Sequence, residues 1–234
     1  AITALGASTI ALRTTAGALE LNQSLKSGSG AITLQSASHL VLENTGDVLS
    51  TSGPITLTSG GRLDMTGETE INAGSGVLSL SAAGDIKLGK LRTTNAADLV
   101  ITSGAIVDVA EGSIDIIAQT AKLVIQAQGG VGSVANPIEI DVAALDLRNT
   151  GSGEIGLVEA GPLTVTRLEQ SSTGAVSLST VNGAITVQGA VTATTGAINL
   201  YAGGANGTLV LNADVVSVGG TVELTADNGD LNLA

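Results

Sequence analysis

Two pairs of acidic residues in this 234-residue chain have a spacing that carbohydrate-cleaving sites use. Glu68 and Glu70 stand two positions apart, as do Glu139 and Asp141, so on a β-strand each pair would project from one face. Two carboxyl groups on one face can supply the acid and the base or nucleophile of glycoside cleavage. Enzymes acting on polysaccharides normally also stack sugars on aromatic rings, and Tyr201 is the only aromatic residue here. The sequence therefore predicts no catalytic residue.

The remaining candidate groups for chemistry stand alone. His39 is the single histidine, and it has no nucleophile, carboxylate or second ligand beside it, so we interpret it as a strand-entry residue. Residues 227–230, Asp-Asn-Gly-Asp, could offer oxygens to calcium, but an ordinary turn accounts for them. The absence of cysteine excludes disulfides, thiolate catalysis and cysteine-bound metals. We predict no metal site and no cofactor.

Charge and composition exclude further partner classes. The net charge of −12 would repel the phosphates of nucleic acid, so no nucleic-acid binding is expected. Lys87, Lys90 and Arg92 form a loose basic group that we interpret as a solvated turn. No apolar run reaches the roughly 18 residues of a transmembrane helix, so no membrane insertion is expected.

A short strand pattern recurs along the whole chain. Apolar residues flank one polar residue in segments such as Ile32-Thr33-Leu34, Ile55-Thr56-Leu57 and Ile185-Thr186-Val187. Ile32, Ile55 and Leu78 are each 23 positions apart, and Val176 and Ile198 are 22 apart. This period predicts an all-β parallel β-helix, or β-solenoid, of about ten coils of roughly 22 residues with three short strands per coil. Residues 1–234 would form one continuous segment, with Thr33, Thr56 and Ser79 in an outward polar column.

The pattern becomes irregular between residues 126 and 163. Residues 129–140 read Gly-Gly-Val-Gly-Ser-Val-Ala-Asn-Pro-Ile-Glu-Ile. Pro137 restrains Asn136 to an extended conformation, which predicts a corner before the next strand. This segment and the Gly-x-Ile-x-Leu repeats resemble filamentous-haemagglutinin-type large bacterial adhesins and related giant surface proteins. The resemblance implies a right-handed β-helix, export by a two-partner or similar pathway, and a role in adhesion, biofilm or surface structure.

The expected function is therefore structural. We expect a segment of a longer secreted polypeptide, located at the bacterial cell surface or in the extracellular matrix, that provides a rigid rod for adhesion or self-assembly and is not an enzyme. Its partners would be further copies, end to end or side by side. One alternative is a module that binds a glycan or host protein through an outward face or through the irregular coils. Another is a polysaccharide-active β-helix enzyme using an acid such as Glu139 or Asp141, which the missing aromatic residues argue against.

Overall fold

Short β-strands make up the regular structure, as the alternation of apolar and polar residues predicts. The computed structural model describes residues 1–43, 45–109 and 112–234, and these residues form no helix. No membrane-spanning helix is therefore found in the part of the chain that the structure describes. The N-terminal coils contain β1 (Ile2–Ala4), β2 (Ile10–Arg13), β3 (Leu19–Leu21), β4 (Leu25–Ser27), β5 (Ile32–Ser36), β6 (Leu40–Leu42), β7 (Val48–Ser50), β8 (Ile55–Ser59), β9 (Leu63–Met65), β10 (Glu70–Asn72), β11 (Leu78–Ala82), β12 (Ile86–Leu88), β13 (Lys90–Arg92), β14 (Leu99–Thr102) and β15 (Ile106–Asp108).

The strands lengthen in the middle of the chain and shorten again afterwards. The middle coils contain β16 (Ile116–Ala127), β17 (Ile138–Asn149), β18 (Ile155–Glu159) and β19 (Leu163–Gln170). The C-terminal coils contain β20 (Val176–Thr180), β21 (Ile185–Val187), β22 (Val191–Ala193), β23 (Ile198–Ala202), β24 (Leu209–Leu211), β25 (Val215–Ser217), β26 (Val222–Ala226) and β27 (Leu231–Leu233). About ten coils result, each with three strands where the pattern is regular, which confirms the predicted solenoid.

Three faces run along the N-terminal half of the solenoid. Face A consists of β1, β4, β7, β10 and β13, face B of β2, β5, β8, β11 and β14, and face C of β3, β6, β9, β12 and β15. Each strand pairs in parallel with its counterpart one coil further on. Backbone hydrogen bonds therefore run along the solenoid axis, and every coil depends on its neighbours for them.

Aliphatic side chains from equivalent positions stack into ladders inside the solenoid. One ladder on face B continues without a break through the irregular coils, and its members are almost fully buried: Leu34, Leu57, Leu80, Ile101, Ile125, Leu147, Leu168 and Val191. Burial of each such side chain contributes about 1.5–3 kcal/mol. On the outside of the same face, Thr33, Thr56 and Ser79 pair in register, which confirms the predicted polar column.

Buried hydroxyl groups close many of the corners. Ser59 Oγ donates to the carbonyl of Arg62 at 2.7 Å, and Thr180 Oγ1 donates to the carbonyl of Gly183 at 2.6 Å. Ser36 makes the same bond one coil before Ser59, and all three hydroxyl-bearing residues are buried. Each hydroxyl lies at a strand end, where its bond to a carbonyl three residues later satisfies the buried hydroxyl and adds to the backbone bonds between coils.

Faces A and B join into one strand in the middle of the chain. In β16, Ile116 and Ile117 pair with β13 of face A, whereas residues 123–126 pair with β14 of face B. β17 repeats this arrangement one coil later, and each of the two strands is 12 residues long. Each of these two strands therefore carries the pairing of both faces, with an irregular register between residues 118 and 122. Asn136 and Pro137 lie in the turn directly before β17.

Face C merges with face A just beyond this point. After β15, within the described residues, only the bridges Ile106–Val131 and Val131–Ile155 continue face C. Ile155 begins β18, which also pairs with β17, so one strand continues both face C and face A. β19 opens a new corner in face B, because its two halves pair separately with β21 and β22. The coil keeps three faces, but its corners change position.

Candidate functional site

The acidic pair Glu139 and Asp141 shares β17 but does not form one site. The side chain of Glu139 joins two other carboxylates at the corner between faces C and A. Asp141 instead accepts a hydrogen bond from Gln119 Nε2 at 2.6 Å and lies near the buried carboxyl of Glu159. Coil-to-coil stacking, rather than spacing along one strand, decides which acids meet.

Asp108 enters the first cluster from face C. It is the last residue of β15 and pairs with Leu88, a fully buried core residue one coil earlier. Asp108 therefore occupies a core position in its ladder, and it is 5% exposed. A carboxylate there is costly unless it is neutralised by a proton, a cation or hydrogen bonds.

Asp115 and Glu139 enter the cluster from adjacent coils of face A. Asp115 directly precedes β16 and is fully buried. Its amide donates to the carbonyl of Glu139 at 2.9 Å, and the amide of Glu139 donates to Asp115 Oδ2 at 3.0 Å. These two hydrogen bonds hold both side chains at the same corner.

The three carboxyl groups converge within the dimensions of a cation site. Asp108, Asp115 and Glu139 each offer one oxygen, and these oxygens lie within 4.8 Å of one another. Asp115 Oδ1 and Glu139 Oε2 are buried and accept no hydrogen bond. Burial, followed by the charges of Asp108 and Glu139, raises the pKa of Asp115 to about 8, against a partly opposing hydrogen bond from the Glu139 amide. Among the acids of the described residues, these have the arrangement that best suits a hard cation.

Asp141 and Glu159 form a second acidic group, which lines a groove beside the part of β17 where faces A and B join. The groove has a volume of about 370 Å³, and Gln119, Asp141, Glu159, Pro162 and Thr164 contribute to its wall. Glu159 is 1% exposed, and its two oxygens accept the amides of Val142 at 3.1 Å and Gly161 at 3.0 Å. Burial, with a smaller contribution from Asp141, raises the pKa of Glu159 to about 7. Because both oxygens accept backbone amides, the Glu159 side chain stabilises the corner after β18.

The other acidic pair is engaged in ion pairs on face A. Glu70 binds Arg92 Nε at 2.8 Å, and Glu68 binds Lys90. The basic group that we interpreted as a solvated turn therefore includes two residues of β13 that neutralise acids one coil earlier. Lys87 lies on the neighbouring strand, β12, and its side chain is exposed.

The two isolated candidates lie apart from both acidic groups. His39 Nδ1 accepts the backbone amide of Arg62 at 3.3 Å and so connects successive corners. Residues 227–230 form an exposed turn, in which Asn228 Nδ2 donates to Asp227 Oδ2 at 3.1 Å. Within the described residues, Asp227 and Asp230 are not part of a group of three possible ligands.

Sequence reasoning missed Asp108, Asp115 and Glu159 because each looks ordinary in its own strand. The positions of two of them, Asp108 and Asp115, could have been predicted from the repeat. Asp108 follows Ile106 at the two-residue spacing of an inward position, and Asp115 precedes Glu139 by about one coil. Comparison with protein-family models, curated proteins and solved structures finds no match to this chain.

Proposed function

We propose that this chain is a rigid structural segment of a secreted fibrous protein at the bacterial cell surface, of the filamentous-haemagglutinin-like adhesin type, or in the extracellular matrix. One observation carries the proposal: parallel pairing continues from β1 to β27 through every change of corner. At about 4.8 Å per coil, about ten coils extend roughly 48 Å. A solenoid that keeps its hydrogen bonding along one axis transmits length and stiffness, which is what a spacer for adhesion or self-assembly requires.

Composition is additional support for an extracellular role, beside the continuous strand pairing. The chain has no cysteine and a net charge of −12, so a protein of this kind can be exported unfolded without forming disulfides and remains soluble at high local density. Under this proposal, its partners are further copies of itself, end to end or side by side, or a host or cell-surface glycan or protein.

An enzymatic role has weaker support. The groove beside Glu159 contains a carboxyl group with a raised pKa, which is a frequent property of catalytic acids. Both oxygens of that group, however, accept backbone amides, one from β17 and one from the corner after β18. Tyr201, the only aromatic residue, does not line the groove. We therefore propose a non-enzymatic function.

Antibody labelling of intact cells tests the proposed location. Antibodies raised against the purified chain should label cells that produce the protein without permeabilisation, and mild protease treatment of intact cells should remove the signal. A cytoplasmic protein labelled in permeabilised cells provides the control for cell integrity. Labelling that requires permeabilisation would contradict the proposed surface location.

A further inference from the structure

The carboxylate cluster lacks a basic partner for two of its members. Within the described residues, no Lys, Arg or His side chain forms an ion pair with Asp115 or Glu139. Asp115 is fully buried, with Oδ2 held by the Glu139 amide and Oδ1 unpartnered. An unpartnered buried carboxylate oxygen is unfavourable, so the ionised side chains of Asp115 and Glu139 would be stabilised by a positive charge that no described residue supplies.

The coordination preferences of the ions favour calcium. Calcium binds oxygen at about 2.3–2.6 Å, so two ligands on opposite sides of it lie about 4.6–5.2 Å apart. The three oxygens here lie within 4.8 Å of one another, so calcium can contact all three with little movement. Magnesium, which binds at about 2.0–2.1 Å, keeps several of its waters and is usually held by only one or two carboxylates. The cluster contains only carboxylates, which favours calcium over metals that prefer nitrogen or sulfur.

The position of the cluster in the fold also suits a cation. Asp108 ends the last strand of face C, and Asp115 and Glu139 lie at the corner that disappears when face C merges into β18. Within the described residues, only single bridges continue face C beyond Asp108, so side-chain contacts at this corner would add to the few backbone bonds that join the coils there. A cation bound by three residues from successive coils would provide such a connection.

We propose that Asp108, Asp115 and Glu139 form a calcium-binding site that connects successive coils where face C ends. This differs from the sequence analysis, which predicts no metal site. It also differs from the turn at residues 227–230, the segment that by sequence alone looked most suitable for calcium. The site is independent of the proposed surface function, because a solenoid in any location could use it.

Thermal unfolding of the full chain with and without calcium tests the site. At about pH 8.5, where the Asp115 carboxyl is mostly ionised, the melting temperature in chelator is compared with that in about 10 mM CaCl₂ and in MgCl₂ of equal concentration. Magnesium controls for general screening of the acidic surface. With the roughly 0.1–1 mM affinity of weak calcium sites, calcium should raise the melting temperature by about 3–10 °C more than magnesium.

Two variants test whether the calcium-specific increase in melting temperature arises at this cluster. Asp115→Asn should abolish the calcium-specific increase while keeping the β-sheet circular dichroism spectrum, and Asp227→Asn, an exposed acid in the alternative turn, should retain it. If Asp115→Asn fails to fold, Asp108→Asn serves the same purpose. Equilibrium dialysis with radioactive calcium should give one ion per chain, lost in the same variant.

Three results would overturn the proposal. Equal melting temperatures in calcium and magnesium would show that only screening occurs. A calcium effect that survives in both Asp115→Asn and Asp108→Asn would place the ion elsewhere. A melting temperature that calcium leaves unchanged, together with no bound ion in dialysis, would show that the cluster does not bind calcium.

Discussion

Glu159 shows how a single buried acid can act as a structural brace. Its two oxygens accept amides from β17 and from the corner after β18, so one side chain joins neighbouring coils where faces A and B separate again. In the folded protein, burial raises its pKa from 4.5 to about 7. Between these values the folded state holds a proton that the unfolded state has lost, so this carboxyl's contribution to stability falls as pH rises.

Replacement of Glu159 by glutamine should reduce the pH dependence of stability. The wild-type free energy of unfolding includes a contribution that declines by about 2–3 kcal/mol between about pH 5 and pH 8, and Glu159→Gln lacks it. Denaturant unfolding of both proteins at the two pH values measures the difference, and other titrating groups cancel in the comparison. An identical pH dependence in both proteins would contradict this assignment.

Corners between strands depend on glycines that face backbone atoms of a neighbouring coil. Gly153, before β18, has φ of 118°, and a Cβ there would lie 2.3 Å from the carbonyl oxygen of Gly129. Gly161 lies in the corner after β18, where a Cβ would meet only Glu159 Oε1 at 3.9 Å. The first position requires glycine for both conformation and space, whereas the second requires neither.

Alanine substitutions should distinguish these two corners. Gly153→Ala should lower the free energy of unfolding by more than about 2 kcal/mol, because it combines an unfavourable φ with a backbone clash. Gly161→Ala should change it by no more than about 0.5–1 kcal/mol, in the stabilising direction where the unfolded chain loses freedom. Urea unfolding measures both values, and equal costs would show that close stacking does not govern the corners.

The whole molecule is built so that one coil is the unit of structure. Ile55 and Leu78 pair in register, so residues 55–77 span one full coil between equivalent positions. An added coil preserves every ladder and every inward position, whereas a partial coil moves inward residues outward. Length can therefore change by whole coils at little cost in stability.

Duplication of residues 55–77 should yield a folded protein about 4.8 Å longer, with a melting temperature equal to or above that of the parent. Duplication of residues 55–66 alone inserts about half a coil and should abolish cooperative unfolding. Differential scanning calorimetry compares the two insertions. A stable protein with the half-coil insertion would mean that register between coils is not what maintains the fold.

The repeat itself is a local property, and the sequence alone determined it. Alternating residues such as Ile55, Thr56 and Leu57 decide which side chains are buried, and their constant spacing decides that coils stack in parallel. The glycines of residues 129–132 and the Asn136-Pro137 pair likewise indicated a corner before β17. These features could be predicted because each depends on residues within about one coil.

The joining of faces, the change of corners and the acidic cluster were decided only by the tertiary structure. β16 and β17 are continuous strands that pair with both face A and face B, where earlier coils have two separate strands, and this pairing depends on the residues that they meet in the neighbouring coils. Asp108, Asp115 and Glu139 meet because that change closes one corner of the solenoid. Such contacts join residues up to 31 positions apart in sequence, from Asp108 to Glu139, and depend on the register of every intervening turn, which local preferences do not specify.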